Sequence, residues 1–275
     1  MARERIRWPL VVDRARELVD GYAPLKVPLR QVMYRLAAEG VLPHTPPMYR
    51  RLSARLAQAR REGRFPDLTD TVRQVHVPPA WPSADAFVRQ MPDWFRLDRT
   101  AGQEHALYVA AEKDTLRQQL TGWLESAGIP VLIVRGSSSQ SYADVVRDRV
   151  AHEQRQAHLA VVGDYDPSGE HLFNALAKDV IAFAQAASAE VEFERVAVTD
   201  EQVTDYNQPT APPKATDRRS FSGTATTQAE ALPPDTLAAI VRQAVEAHRD
   251  PVVHQRTLAR EEIERQAVRD GLGRG

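Results

Sequence analysis

Two short apolar runs 52 residues apart, each closing on carboxylates, restrict this 275-residue chain more than any other feature. The first is Leu107-Tyr108-Val109-Ala110-Ala111, followed by Glu112 and Lys113; the second is Leu159-Ala160-Val161-Val162-Gly163, followed by Asp164-Tyr165-Asp166-Pro167-Ser168-Gly169. Runs this short and this continuously apolar read as strands covered on both faces. Between them the pattern predicts a helix over about 114–126, a strand over Pro130-Val131-Leu132-Ile133-Val134-Arg135, and a helix over about 141–152. A β-α-β-α-β order implies an α/β fold with a parallel sheet and right-handed crossovers, so Glu112, Asp164 and Asp166 emerge at carboxyl ends on one edge. Three carboxylates on one rim offer the oxygen ligands that Mg²⁺ prefers, and they point to metal-assisted chemistry on phosphates. Asp166 followed by Pro167 also reads as a plain helix start, with the carboxylate capping free amides.

The amino-terminal third has a different character. In Val27-Pro28-Leu29-Arg30-Gln31-Val32-Met33-Tyr34-Arg35-Leu36, the residues Leu29, Val32, Met33 and Leu36 recur at helical spacing behind a helix-opening proline. At about 100° per residue, Tyr34 lies roughly 150° from the centre of that stripe, so it is expected to face outwards with Arg30 beside it. A second helix starts near Pro46 or Pro47; it is expected to bury Tyr49, Leu52 and Leu56 and to display Arg50, Arg51, Arg55, Arg60 and Arg61. With the extended stretch 72–77 after it, the pattern reads as a winged-helix or helix-turn-helix module over residues 1–78. Charge divides along the same line: residues 1–64 carry 14 Lys and Arg against 6 Asp and Glu, while residues 65–275 carry 22 against 31. A basic first unit suits a phosphate backbone, and an acidic second one suits it only with its carboxylates neutralised.

Glu at the end of one strand with Asp-x-Asp at the end of a later one is similar to the Toprim domain of topoisomerases, primases and related nucleases. The wording Ala111-Glu112-Lys113-Asp114 with Gly163-Asp164-Tyr165-Asp166-Pro167-Ser168-Gly169 resembles in particular the A subunit of type IIB topoisomerases (topoisomerase VI), the meiotic break-forming transesterases and their small bacterial and phage-type relatives. In that family a winged helix carries the nucleophilic tyrosine in an Arg-Asp-aliphatic-aromatic-Tyr frame. Arg30-Gln31-Val32-Met33-Tyr34 fits the frame, with Gln31 in place of the acid and Met33 in place of the aromatic. The resemblance implies a Toprim domain over 104–275 behind a helical bridge at 79–103, with Mg²⁺ held by Glu112, Asp164 and Asp166. Lys113 would assist at a phosphate or cap the site's charge, and Tyr34 would attack DNA to leave a 5′-phosphotyrosyl bond. It further implies a homodimer, with tyrosine and metal site drawn from different chains. The sequence has no Walker A loop, so an ATP-driven reaction would need a separate ATPase subunit. Two alternatives stay open on the residues themselves: hydrolysis by water at the same carboxylates, or a DNA-binding module whose acidic site is vestigial; Tyr34 itself also reads as a surface tyrosine touching DNA or a partner.

Zero cysteines exclude disulfides, thiolate zinc sites and cysteine nucleophiles. The eight histidines show no metal-ligand spacing and are read individually as surface or packing residues. No apolar run reaches the ~20 residues that span a bilayer, and the charged start lacks a signal-peptide core, so a cytoplasmic location is expected. Asn207 to Thr227 is rich in Pro, Thr and Ser and holds Lys214, Arg218 and Arg219; it is expected to border the DNA path or to serve as a disordered crossover. Two helices, about 234–248 and 251–269, are expected to close the chain.

Overall fold

The computed structural model describes residues 6–69, 77–134, 155–186 and 188–272. The predicted extended residues 72–76, the end of the second strand at Arg135 and the helix expected at 141–152 lie outside them.

Three helices make up the amino-terminal unit: α1 (Trp8–Gly21), α2 (Leu29–Ala38) and α3 (Pro46–Arg61). Thr45 caps α3, its side chain accepting from the Met48 amide with Pro46 in the first turn. Val11, Ala15 and Val19 of α1 meet Val32, Met33 and Leu36 of α2 and Leu52 and Leu56 of α3 in one core. The predicted stripe of α2 therefore packs as its spacing requires. Tyr49 is only partly buried, at the margin of this core.

A bridge helix, α4 (Ala84–Trp94), starts at Ser83, whose Oγ accepts from the Ala86 amide at 3.1 Å. It runs along the last helix of the chain. There the buried Glu261 accepts from Arg99 Nη2 at 2.7 Å and from the Leu97 amide at 3.1 Å. Those ion-pair and backbone hydrogen bonds hold the Glu261 carboxyl well down, to about 2, with Arg99 as the main cause.

The second unit is a four-stranded, wholly parallel sheet: β1 (Ala106–Ala111), β2 (Val131–Ile133), β3 (Ala157–Val162) and β4 (Val191–Ala197), in the order β2-β1-β3-β4. Every residue of β1 and β3 is buried. Alternation along β1 explains why the run must be continuously apolar. Leu107, Val109 and Ala111 face one core with α5 (Arg117–Leu124), whereas Ala106, Tyr108 and Ala110 face another with α6 (Pro167–Ala186). After β4 come the short α7 (Asp200–Asp205), then α8 (Pro234–Ala247), which completes the first of these cores, and α9 (Pro251–Leu272). Among the described residues no helix is long and apolar enough to cross a membrane.

The strand order places a switch between β1 and β3. From β1 the chain moves outward to β2, and later returns to the other side of β1 as β3. In parallel α/β sheets such a switch opens a crevice at the carboxyl ends of the two strands. Glu112 follows one of them and Asp164 the other.

The 207–227 segment is not a loose crossover. Ala211 bridges to Thr226 and Tyr165 to Thr227, the Phe221 ring lies 5.0 Å edge-on to Tyr165, and Ser222 bonds Glu170. A backbone bridge and an aromatic contact tie it to the turn after β3, and Ser222 ties it to the helix that follows, which composition alone does not reveal.

Candidate functional site

Backbone pairing fixes the rim first. Glu112 N donates to Val162 O at 3.0 Å, extending the β1·β3 ladder by one step, and the Asp164 amide then donates to Glu112 Oε2 at 3.2 Å. Asp164 is almost fully buried, and its Oδ1 accepts from the Ala229 amide at 3.0 Å. Its other oxygen, Oδ2, meets Lys113 Nζ at 2.6 Å. Lys113 also faces Glu230 Oε2 at 3.6 Å. Burial, and then the charge of Asp164, push the Glu112 carboxyl up from its ordinary range. Burial likewise pushes Asp164 up, against the opposing pull of the Lys113 ammonium.

Asp166 behaves as the helix-start reading anticipates. Its Oδ1 accepts from the Gly169 amide at 2.7 Å, capping α6 with Pro167 at the first helical position. The side chain is partly exposed beside the rim. Gly169 is where the helix comes closest to the site: a Cβ there would stand 2.3 Å from Asp164 O and 3.1 Å from Glu112 Oε2. Only glycine permits this approach.

Arg195 completes the wall. A register shift between Val161 and Val162 bulges β4, pairing Val161 with Arg195 but Val162 with Ala197. The Arg195 guanidinium returns to the backbone, donating from Nε to Val198 O at 3.0 Å and from Nη2 to Asp164 O. Burial lowers its pKa, and the carboxylates of Glu170, Glu112, Asp166 and Asp164 oppose that shift. Glu112, Gly163, Gly169, Phe173 and Arg195 line a cavity of about 20 Å³, room for about one water molecule.

Tyr34 is corrected by the structure. Expected to face outwards, it is buried at 6% exposure, because the face of α2 turned away from its own core is covered by the second unit. Its hydroxyl donates to Gln228 Oε1 at 2.6 Å, and its ring stacks 4.6 Å from that of His44. Burial pushes the Tyr34 hydroxyl up to about 12, with Arg30 opposing the shift, so it is neutral throughout the physiological range. The same interface buries Gln31, which accepts from Gln119 Nε2 at 2.9 Å. Arg30 gives its charge to the buried Glu230, Nη1 to Oε2 at 3.0 Å.

Glu230 is the residue that sequence reasoning missed. Near-complete burial between Arg30 and Lys113 joins the amino-terminal unit to the rim. Its only signal was an acid within Ala229-Glu230-Ala231-Leu232, a stretch otherwise apolar. The remaining basic candidates are exposed: Arg50, Arg51, Arg55, Arg60 and Arg61 on α3, and Lys214, Arg218 and Arg219 on the 207–227 segment, where Arg219 pairs with Asp217 at 3.1 Å. Arg60 faces Asp67 at 3.3 Å, and Arg55 lies 5.8 Å over the Trp8 ring.

The histidines need a second correction. Rather than standing individually, His158 and His248 stack with ring centroids 3.7 Å apart beside Glu194. Among the described residues this is the group of three whose metal-ligating atoms all lie within 4.8 Å of one another. Glu112, Asp164 and Asp166 do not converge so closely, because Lys113 occupies the space against Asp164 and Asp166 turns to its helix cap.

No family model, curated protein or solved structure matches this chain.

Proposed function

We propose that the rim at the switch between β1 and β3 cleaves phosphodiester bonds of DNA with Mg²⁺ or a similar divalent ion. One observation carries the reading: Glu112 and Asp164 stand on neighbouring strand ends with a cationic nitrogen, Lys113 Nζ, held 2.6 Å from Asp164. Glu112, driven up by burial and by the charge of Asp164, and Asp164, driven up by burial against the pull of Lys113, both favour a positive partner. The donor set is all oxygen, which fits a hard cation. Glu112 and Asp164 would hold the ion, with Asp166 at the edge of the site. Such an ion, when bound, stabilises charge on the scissile phosphate and the leaving oxygen.

The protein's own groups supply the rest. Arg195 braces the main chain of Asp164, so that the rim keeps its shape. Lys113, once displaced from Asp164, is placed to neutralise a phosphate oxygen. The exposed arginines of α3, within a unit of net charge +8 over residues 1–64, would grip the backbone, as a helix-turn-helix or winged-helix module does. Water is the favoured nucleophile. The Tyr34 hydroxyl is buried, hydrogen-bonded and held neutral, and Gln31 and Met33 stand where the resembled frame has an acid and an aromatic.

One contact supports tyrosine attack as a second reading. Gln228, which accepts from Tyr34, precedes the residue whose amide holds Asp164, so hydroxyl and rim share one short segment. The test is supercoiled plasmid with the purified chain, in Mg²⁺ and in EDTA, followed by denaturation. Cleavage only with metal and free DNA ends supports the hydrolytic reading; protein-linked ends support Tyr34. Cleavage in EDTA, or DNA binding without cleavage in either condition, refutes the cation-site reading.

A further inference from the structure

At the opposite end of the sheet the fold assembles a second constellation. His158 lies six residues before Asp164 on β3, roughly 20 Å away at about 3.3 Å per residue. Its backbone partner on β4 is Glu192, and Glu194 lies two residues on, so both acids share a face of β4 with each other. His248 arrives from the C-cap of α8, which packs against this strand. We propose that His158, Glu194 and His248 bind a divalent transition-metal ion of the Zn²⁺ class, at a site separate from the carboxylate rim.

The geometry is specific about which atoms take part. Glu194 Oε2 lies 3.0 Å from His158 Nε2 and 3.9 Å from His248 Nε2. Those separations bracket the ~3.3 Å edge of a tetrahedron built from bonds of about 2.0–2.1 Å. His248, about one-third exposed, would close the longer of the two by turning out of its stack on His158, since stacked rings cannot both aim their in-plane lone pairs at one ion. His158 is 5% exposed, and its Nδ1 is buried without a hydrogen-bond partner. That atom faces Glu192 Oε2 at 3.6 Å. With Nε2 on a metal, Nδ1 carries the proton and points at a carboxylate, the arrangement that orients and strengthens metal-bound histidines. Two imidazole nitrogens with one carboxylate select Zn²⁺, Co²⁺ or Ni²⁺ over Mg²⁺ and Ca²⁺, which take oxygen. The ion would tie β3, β4 and the end of α8 together.

The experiment uses the full chain, free of any histidine tag, stripped with EDTA and dialysed. Zn²⁺ is titrated calorimetrically, and Co²⁺ is followed by visible absorption. One saturable Zn²⁺ per chain, a rise in melting temperature and an intense tetrahedral Co²⁺ spectrum are expected. His248→Ala and Glu194→Gln, both at partly exposed positions, weaken Zn²⁺ binding by at least about tenfold, because even outer-shell partners contribute that much. Glu112→Gln leaves it unchanged. Absence of saturable binding by the wild-type chain overturns the proposal. So does Zn²⁺ affinity that survives both His248→Ala and Glu194→Gln, or that is lost in Glu112→Gln.

Discussion

Replacing Glu112 by Gln should stabilise the metal-free protein at neutral pH. The amide keeps the size of the side chain and an oxygen that can still accept from the Asp164 amide, which is 3.2 Å away in the wild type. What it removes is a negative charge that burial and Asp164 both disfavour. A carboxyl whose folded pKa is raised has its favourable state, the protonated one, at low pH. That contribution is lost as pH rises through the folded pKa, so at pH 7 the wild type bears the cost and the variant does not. Two like charges about 4 Å apart interact by ~4 kcal/mol at an effective dielectric of 20. Neutralisation of Asp164 by Lys113 and the partial exposure of Glu112 reduce this to about 1 kcal/mol, or a melting temperature higher by about 2–4 °C for a chain of this size. Thermal unfolding followed by circular dichroism in EDTA measures it at pH 7, and again near pH 4.5, where the gap should narrow as Glu112 takes up its proton. Adding Mg²⁺ at tenfold excess over its Kd should stabilise the wild type by about 1.4 kcal/mol and leave the variant unmoved. A variant that melts at or below the wild-type temperature at pH 7 would refute the argument, making Glu112 a structural anchor rather than a strained ligand.

Tyr34→Phe deletes the bond to Gln228 and should cost about 1 kcal/mol in chemical denaturation, while DNA cleavage stays within about twofold of wild type; complete loss of cleavage with the fold intact would instead make Tyr34 the nucleophile. Gly169→Ala forces a Cβ to within 2.3 Å of the Asp164 carbonyl and should lower stability by about 1–3 kcal/mol, with metal-dependent cleavage falling alongside, both checked on the same preparation. Changing the exposed Arg50, Arg51 and Arg55 together to Gln should weaken duplex binding across all sequences and flatten the salt dependence by about 0.9 in log–log slope for each phosphate no longer neutralised, measured by fluorescence anisotropy; an unaltered slope would remove α3 from the DNA path.

The parallel α/β sheet and the edge on which its acids emerge follow from local pattern. A strand buried on both faces must be apolar at every position, and a residue just past such a strand belongs to its carboxyl end whatever else the chain does. Glu112 and Asp164 were therefore readable from local pattern, as was the apolar stripe of α2 and the capping turn at Asp166. Which surfaces face each other depends on the assembled fold. Helical periodicity marks the side of α2 that serves its own core, but not that the second unit covers the opposite side, burying Gln31 and Tyr34 and pairing Arg30 with Glu230, 200 residues away. His158, Glu194 and His248 have no spacing that signals a site, since they come from two adjacent parallel strands and a helix end joined only by folding. Short-range pattern encodes one element's preference for water or core; contacts between distant elements depend on the whole topology, and that is where the surroundings of Tyr34 and of the histidine cluster were decided.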